Sequence, residues 1–100
     1  MTDRDTVKAI LAELTRCAPG RSVELRVPPV AATQIVAGPA HRRGTPKATV
    51  EMDPQTLLDL AAGDVSWSDA VAEGRVIASG ERTDLSHLFP LRGSAGPARP

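Results

Sequence analysis

The sequence predicts an α+β domain in which a mainly antiparallel four-stranded sheet has its helices packed on one face. Two observations lead to this prediction. Apolar residues recur every three or four positions near the start of the chain, as on a buried helix face, and then alternate with polar residues in short segments, as in half-buried strands. The resulting order, α-β-β-β-α-α-β-α, groups the strands instead of alternating them with helices, which is typical of α+β proteins.

Composition limits the size of the core and the class of function. Of the 100 residues 41% are hydrophobic, but fifteen of them are alanines, so we expect one modest core and a single domain over residues 1–91. Twelve basic residues against twelve acidic ones disfavour a protein that binds nucleic acid by neutralising phosphates. A polar N-terminus and the lack of a long apolar run predict a cytoplasmic protein with no signal peptide and no membrane span.

The first half of the chain is predicted to form one helix and three strands. The helix has an apolar stripe of Val7, Ile10, Leu11, Leu14 and Cys17. We expect it to end at Pro19-Gly20, with Cys17 as an inert core residue. Alternating apolar residues predict strands at about 22–27, 32–37 and 48–52, and the breaker-rich residues 38–47 predict a long loop.

The second half is predicted to hold two short helices, a strand and a final turn. Asp53 followed by Pro54 is a strong helix start, and Ser66 begins the next helix. A fourth strand is expected at about 75–79, and Asp84 is expected to cap the last turn. Residues 92–100 have the composition of a disordered tail.

The predicted sheet has the strand order 3-2-1-4. Sequential strands joined by short connections usually pair, so the first three strands should form an antiparallel meander. The fourth strand should then cross over and lie beside the first. Alternation places Leu25 and Val50 on the face covered by helices, and Glu24 and Glu51 on the other face.

The sequence contains no motif for catalysis, metal binding or cofactor binding. It has no glycine-rich phosphate loop, no nucleophile elbow and no metal-ligand spacing. His41 lies between two clusters of breakers, and a local hydrogen bond to Asp84 would account for His87. We therefore predict a protein that is not an enzyme and needs no cofactor.

Charge and apolar content leave two questions open. All charges between residues 25 and 50 are basic, so His41, Arg42 and Arg43 either are solvated or form a polar rim for an anionic head group. The apolar residues of the helical layer either pack closely or line a cavity for an apolar ligand. The candidate ligand-binding residues are Leu57, Leu60, Trp67, Val71, Leu85, Leu88 and Phe89.

Two segments, TVEMDPQTLLDLAAG at 49–63 and SDAVAEGRVIASG at 68–80, resemble the sterol carrier protein family. In that family a strand, a leucine-bearing helix ending in glycine, a second helix and another strand follow one another. Through RVPP at 26–29 and HRRGTP at 41–46 the chain is most similar to the short bacterial sterol-carrier orthologue domain. The resemblance covers roughly residues 5–91.

The resemblance implies a twisted sheet with helices on one face and an apolar tunnel between them that takes fatty acyl chains or sterols. Family members carry lipid without chemical turnover. We expect the family's fifth strand and terminal helix to be missing, so a second copy or another protein could instead cover apolar surface around Leu85, Leu88 and Phe89. A further alternative is an accessory domain for an enzyme that acts on anionic metabolites.

Overall fold

The computed structural model describes residues 3–38 and 48–91. Its elements are α1 (Asp3–Cys17), β1 (Val23–Val27), β2 (Ala31–Ile35), β3 (Ala48–Met52), α2 (Pro54–Ala62), α3 (Trp67–Ala72), β4 (Val76–Ser79) and a 3₁₀ turn (Ser86–Leu88). They confirm the α+β class. Most of the predicted long loop and the whole predicted tail lie outside the described residues.

Helix α1 packs through the predicted stripe, with one exception. Val7, Ile10, Leu11 and Leu14 are buried. Cys17 was expected in the core but is exposed. It is the last residue of the helix, and its Sγ lies beside the carboxylate of Glu13 and the guanidinium of Arg16.

The starts of α2 and α3 follow the predicted capping residues. Asp53 Oδ1 accepts a 2.8 Å hydrogen bond from the backbone N–H of Thr56, and Ser66 Oγ accepts one of 3.1 Å from Asp69 N–H. Each cap satisfies a donor that the first helical turn leaves without an intrahelical partner. Gly63 ends α2 with φ at +84°, a left-handed conformation that glycine adopts without strain.

The four strands lie in the order β2-β1-β3-β4, so the predicted order 3-2-1-4 is wrong. Strands β1 and β2 pair antiparallel, as do β3 and β4, while β1 and β3 pair in parallel. The sheet is therefore mixed and mainly antiparallel. Burial explains the order: β1 has three buried residues and occupies the interior, whereas β2 has one and lies at an edge. Placing β2 inside would have put Thr33 and Gln34 in the middle of the sheet.

The predicted faces of the sheet are confirmed. Leu25 lies opposite Val50, and both are fully buried. On the same face Thr33 of β2 contacts Thr15 of α1, with the two Oγ1 atoms 3.2 Å apart, which places α1 over that face. The core lies between the sheet and the helices, where fully buried residues of β1 and β3 pack with those of α1 and α2.

Candidate functional site

A cleft of about 580 Å³ lies between the start of α3 and the chain segment that follows β4. Its size falls inside the range of roughly 300–1,000 Å³ that is usual for small-molecule sites. The residues that line it are Gly63, Val65, Ser66, Trp67, Ser68, Asp84, Ser86, Phe89 and Pro90. Apolar and polar groups are therefore both present in the lining, as an amphiphilic ligand would require.

The apolar wall of the cleft is a stacked pair of aromatic rings. The ring centroids of Trp67 and Phe89 are 6.1 Å apart and the ring planes are 9° from parallel. This separation is within the range of favourable aromatic pairs. Trp67 is the first residue of α3, directly after the Ser66 cap, and Phe89 directly follows the 3₁₀ turn. Two element boundaries therefore bring the rings together.

The segment that carries Phe89 is attached to α2 and to the core. The N–H of Leu91 donates a 3.0 Å hydrogen bond to the carbonyl of Ala61. Leu85 is fully buried. A methyl group placed on Gly63 would come 3.4 Å from Cβ of Pro90, so the two segments are in close contact there. The wall of the cleft is thus tied down on both sides of Phe89.

Asp84 is the charged residue of the cleft lining in the described part of the chain. Its Oδ1 accepts a 3.0 Å hydrogen bond from the backbone N–H of Ser86. Hydrogen bonds from Ser86 hold the pKa of the Asp84 carboxyl below its usual value. The cleft therefore combines an apolar wall with an ionised carboxylate and serine hydroxyls.

A family model described as a bacterial SCP ortholog matches residues 1–91. The chain belongs to this family. The match confirms the resemblance to sterol carrier proteins and covers every element described above. A search of curated proteins found none that matches the chain.

The predicted ligand-binding residues of this chain occupy four kinds of position. Trp67 and Phe89 line the cleft. Leu88 is half-buried against the core, and Val71 is 43% exposed. The fully buried core holds Leu57, Leu60 and Leu85. The predicted polar rim, His41, Arg42 and Arg43, lies outside the described residues.

The other lining residues were not predicted to contact a ligand. Ser66 and Asp84 were predicted only as capping residues. Both occur where a helix or turn begins, and those two beginnings meet at the cleft. The predicted capping pattern was thus the signal present in the sequence, although Leu85 and not Asp84 is the N-cap of the last turn and the pattern could not show that Ser66 and Asp84 line one cleft.

The Cys17 thiol is not set up as a nucleophile. A hydrogen bond to Glu13 is the main reason that the pKa of Cys17 is raised, which disfavours the reactive thiolate. Within residues 3–38 and 48–91, no group of three His, Cys, Asp or Glu side chains is placed to hold a metal ion. None of the helices described is both long and apolar enough to cross a membrane.

Proposed function

We propose that this domain is a non-catalytic carrier that binds a single-chain or sterol-like amphiphile in the cleft beside Trp67 and Phe89. The observation that carries the proposal is the stacked aromatic wall of a cleft of about 580 Å³ in a chain of the bacterial SCP ortholog family. Carrier domains are typical of SCP-like families. The ligand would shield its apolar part against the rings and leave its head group at the polar side.

The helical layer supports this position for the ligand. Leu57 of α2 is fully buried and belongs to the same core as the fully buried Leu25 and Val50 of the sheet. Protein interiors are close-packed, so a ligand between these residues would have to displace them. None of these three residues lines the cleft, so a ligand bound there leaves that packing undisturbed.

Apolar burial can supply a useful affinity. Each methylene removed from water contributes about 0.8 kcal/mol, which corresponds to about a fourfold change in the dissociation constant. About a dozen methylenes would contribute roughly 10 kcal/mol, and an association cost of about 4 kcal/mol would leave a dissociation constant of roughly 100 μM. The expected driving force is therefore desolvation of the ligand chain.

The polar groups of the lining support binding without chemistry. Ser66 Oγ is engaged by the N–H of Asp69, and Asp84 is engaged by the N–H of Ser86. A hydrolytic nucleophile would need a base within hydrogen-bonding distance to activate it. Ser66 instead caps α3, and Asp84 closes a local turn with Ser86 just before the 3₁₀ turn.

A fluorescence titration tests the carrier proposal directly. Trp67 is the only tryptophan and the chain has no tyrosine, so near-ultraviolet fluorescence reports on the cleft. Adding dodecanol, dodecylammonium or dodecanoate should produce a saturable change in Trp67 emission for at least one of them. Shortening the chain by one methylene should weaken binding by about fourfold.

Two variants provide the comparison. Phe89→Leu removes the stacked ring and should weaken binding, whereas Val71→Ala changes an exposed residue outside the lining and should leave the affinity unchanged. Circular dichroism would establish that both variants are folded. If folded wild-type protein shows no saturable change with any of the three amphiphiles, the carrier proposal fails.

A further inference from the structure

The polar side of the aromatic cleft offers a ligand one ionised hydrogen-bond acceptor. Asp84 lines the cleft together with Ser86 and Phe89. An ionised carboxylate accepts hydrogen bonds at about four lone-pair positions and donates none. The N–H of Ser86 occupies a position on Oδ1, so the group retains capacity to accept from a ligand.

The surroundings keep this carboxylate charged. Its hydrogen bonds from Ser86 stabilise the ionised form. No basic residue of the described part of the chain lines the cleft. His87 is close enough to act on Asp84 electrostatically and is itself exposed. The acids Asp64 and Asp69 flank the Ser66–Ser68 segment in the sequence, but neither lines the cleft.

The serine hydroxyls of the lining do not offset the negative charge of Asp84. Ser66 Oγ already accepts from Asp69 N–H and lies 3.4 Å from Ser68 Oγ. Neutral hydroxyls can donate to a ligand carboxylate, but they do not cancel the repulsion between that group and an ionised aspartate. A head group that donates a hydrogen bond and carries no negative charge satisfies Asp84 without this repulsion.

We infer that the cleft selects its ligand by head group, favouring an amphiphile with a hydrogen-bond-donating hydroxyl or ammonium group over one with a carboxylate, and that Asp84 determines this preference. The inference rests on the proposed carrier function. It assigns the ligand to the class of long-chain alcohols, sterols and amines. Free fatty acids, which the family resemblance also suggested, become the poorer ligands.

The test compares three ligands with the same chain: dodecanol, dodecylammonium and dodecanoate. Binding is followed through Trp67 emission at about pH 8, where imidazole side chains are ordinarily neutral. Wild-type protein should bind the alcohol and the amine up to about fivefold more tightly than the acid, the upper end of the range for one solvent-exposed charge contact. Raising the ionic strength should reduce the ratio.

Asp84→Asn keeps an oxygen for the Ser86 N–H and removes the charge. It should bring dodecanoate to within about twofold of dodecanol, since the remaining contacts are the same for both ligands. Asp84→Ser, a second capping residue without charge, should do the same and serves if the first variant does not fold. Asp64→Asn makes the same charge change outside the lining and should leave the wild-type ratio unaltered.

The outcomes separate the two proposals. Equal affinity of wild-type protein for dodecanol and dodecanoate overturns head-group selection while the carrier function stands. An Asp64→Asn effect as large as that of Asp84→Asn overturns the role of Asp84. If none of the three ligands gives a saturable change, the carrier function fails and head-group selection fails with it.

Discussion

The Nε–H of Arg75 donates a 3.1 Å hydrogen bond to Oγ1 of Thr56, a residue that is 1% exposed in the first turns of α2. Nη2 of the same guanidinium lies 2.7 Å from Oδ2 of Asp59. Thr56 in turn donates its backbone N–H to Asp53. Arg75 directly precedes β4, so these polar contacts attach α2 to the strand at the sheet edge.

This network predicts that acid destabilises the protein. Arg75 lowers the pKa of the Asp59 carboxyl, and hydrogen bonds from Thr56 lower that of Asp53. In the unfolded chain the pKa of an aspartate carboxyl is about 3.9. A carboxyl whose pKa is lower than this in the folded state stabilises the fold at pH values above about 3.9. The stabilisation is lost as the pH falls through the folded-state pKa values.

Urea unfolding at a series of pH values measures this dependence. The free energy of unfolding should be level between about pH 6 and 8 and should fall below about pH 5. The double variant Asp53→Asn, Asp59→Asn should have a shallower acid limb because two of the responsible carboxyls are gone. An identical slope in wild type and variant would contradict the assignment to these residues.

Removing a buried leucine of α2 separates core packing from ligand lining. Leu60 is fully buried, so Leu60→Ala should reduce the free energy of unfolding of the ligand-free protein by about 2–5 kcal/mol. Val71 is 43% exposed, and Val71→Ala should change the free energy of unfolding by no more than about 0.5 kcal/mol. Equal stability of the two variants in urea would show that Leu60 does not support the core.

Two glycines with positive φ should respond differently to alanine. Gly74 has φ of +76°, and a methyl group added there would have no atom within 4 Å, so Gly74→Ala should lower the free energy of unfolding by about 1 kcal/mol through backbone strain alone. Gly80 has φ of +99°, and a methyl group there would lie 2.8 Å from Cα of Ala48. Gly80→Ala should therefore lower the free energy of unfolding by more than Gly74→Ala does, because β3 must move to accommodate the methyl group. Chemical denaturation of both variants measures the difference, and a smaller loss for Gly80→Ala would be inconsistent with the close approach.

Cys17 should be accessible to thiol reagents but slow to react. It is exposed, and Glu13 raises the pKa of the thiol. Glu13→Ala removes that effect and leaves Arg16 nearby, so the labelling rate at about pH 7 should rise, because a lower thiol pKa increases the fraction of reactive thiolate. Glu73→Ala, which is remote from the thiol, is the control. A slower reaction of the Glu13→Ala protein would refute the proposed cause.

Local sequence patterns were sufficient to predict the elements but not the neighbours of the strands. Capping by Asp53 and alternation around Leu25 each depend on residues close in sequence, and the structure contains both features. Alternation shows which face a strand buries and does not show which strand lies beside it. Leu25 lies opposite Thr33 on one side and Val50 on the other, and the short connection favoured only the first of these pairs.

The candidate site was predictable in part for a related reason. Helical spacing is the same whether a residue faces a ligand or the core, so Leu57 and Leu60 could not be distinguished from lining residues. Trp67 and Phe89 were each predicted to contact a ligand, but their stacking depends on how the last segment folds back onto α2. Periodicity within one element contains no information about that contact.

The parallel pairing of β1 with β3 divides the protein into two complementary pieces. Residues 3–38 contribute α1 and one antiparallel pair, residues 48–91 contribute the other pair with α2 and α3, and the pieces meet along β1–β3 and between α1 and α2. Each piece alone would expose an apolar face that the other covers. Two peptides cut between Gly38 and Ala48 are therefore expected to be poorly ordered apart and to assemble into the native fold when mixed, so that association of two chains could replace the covalent connection.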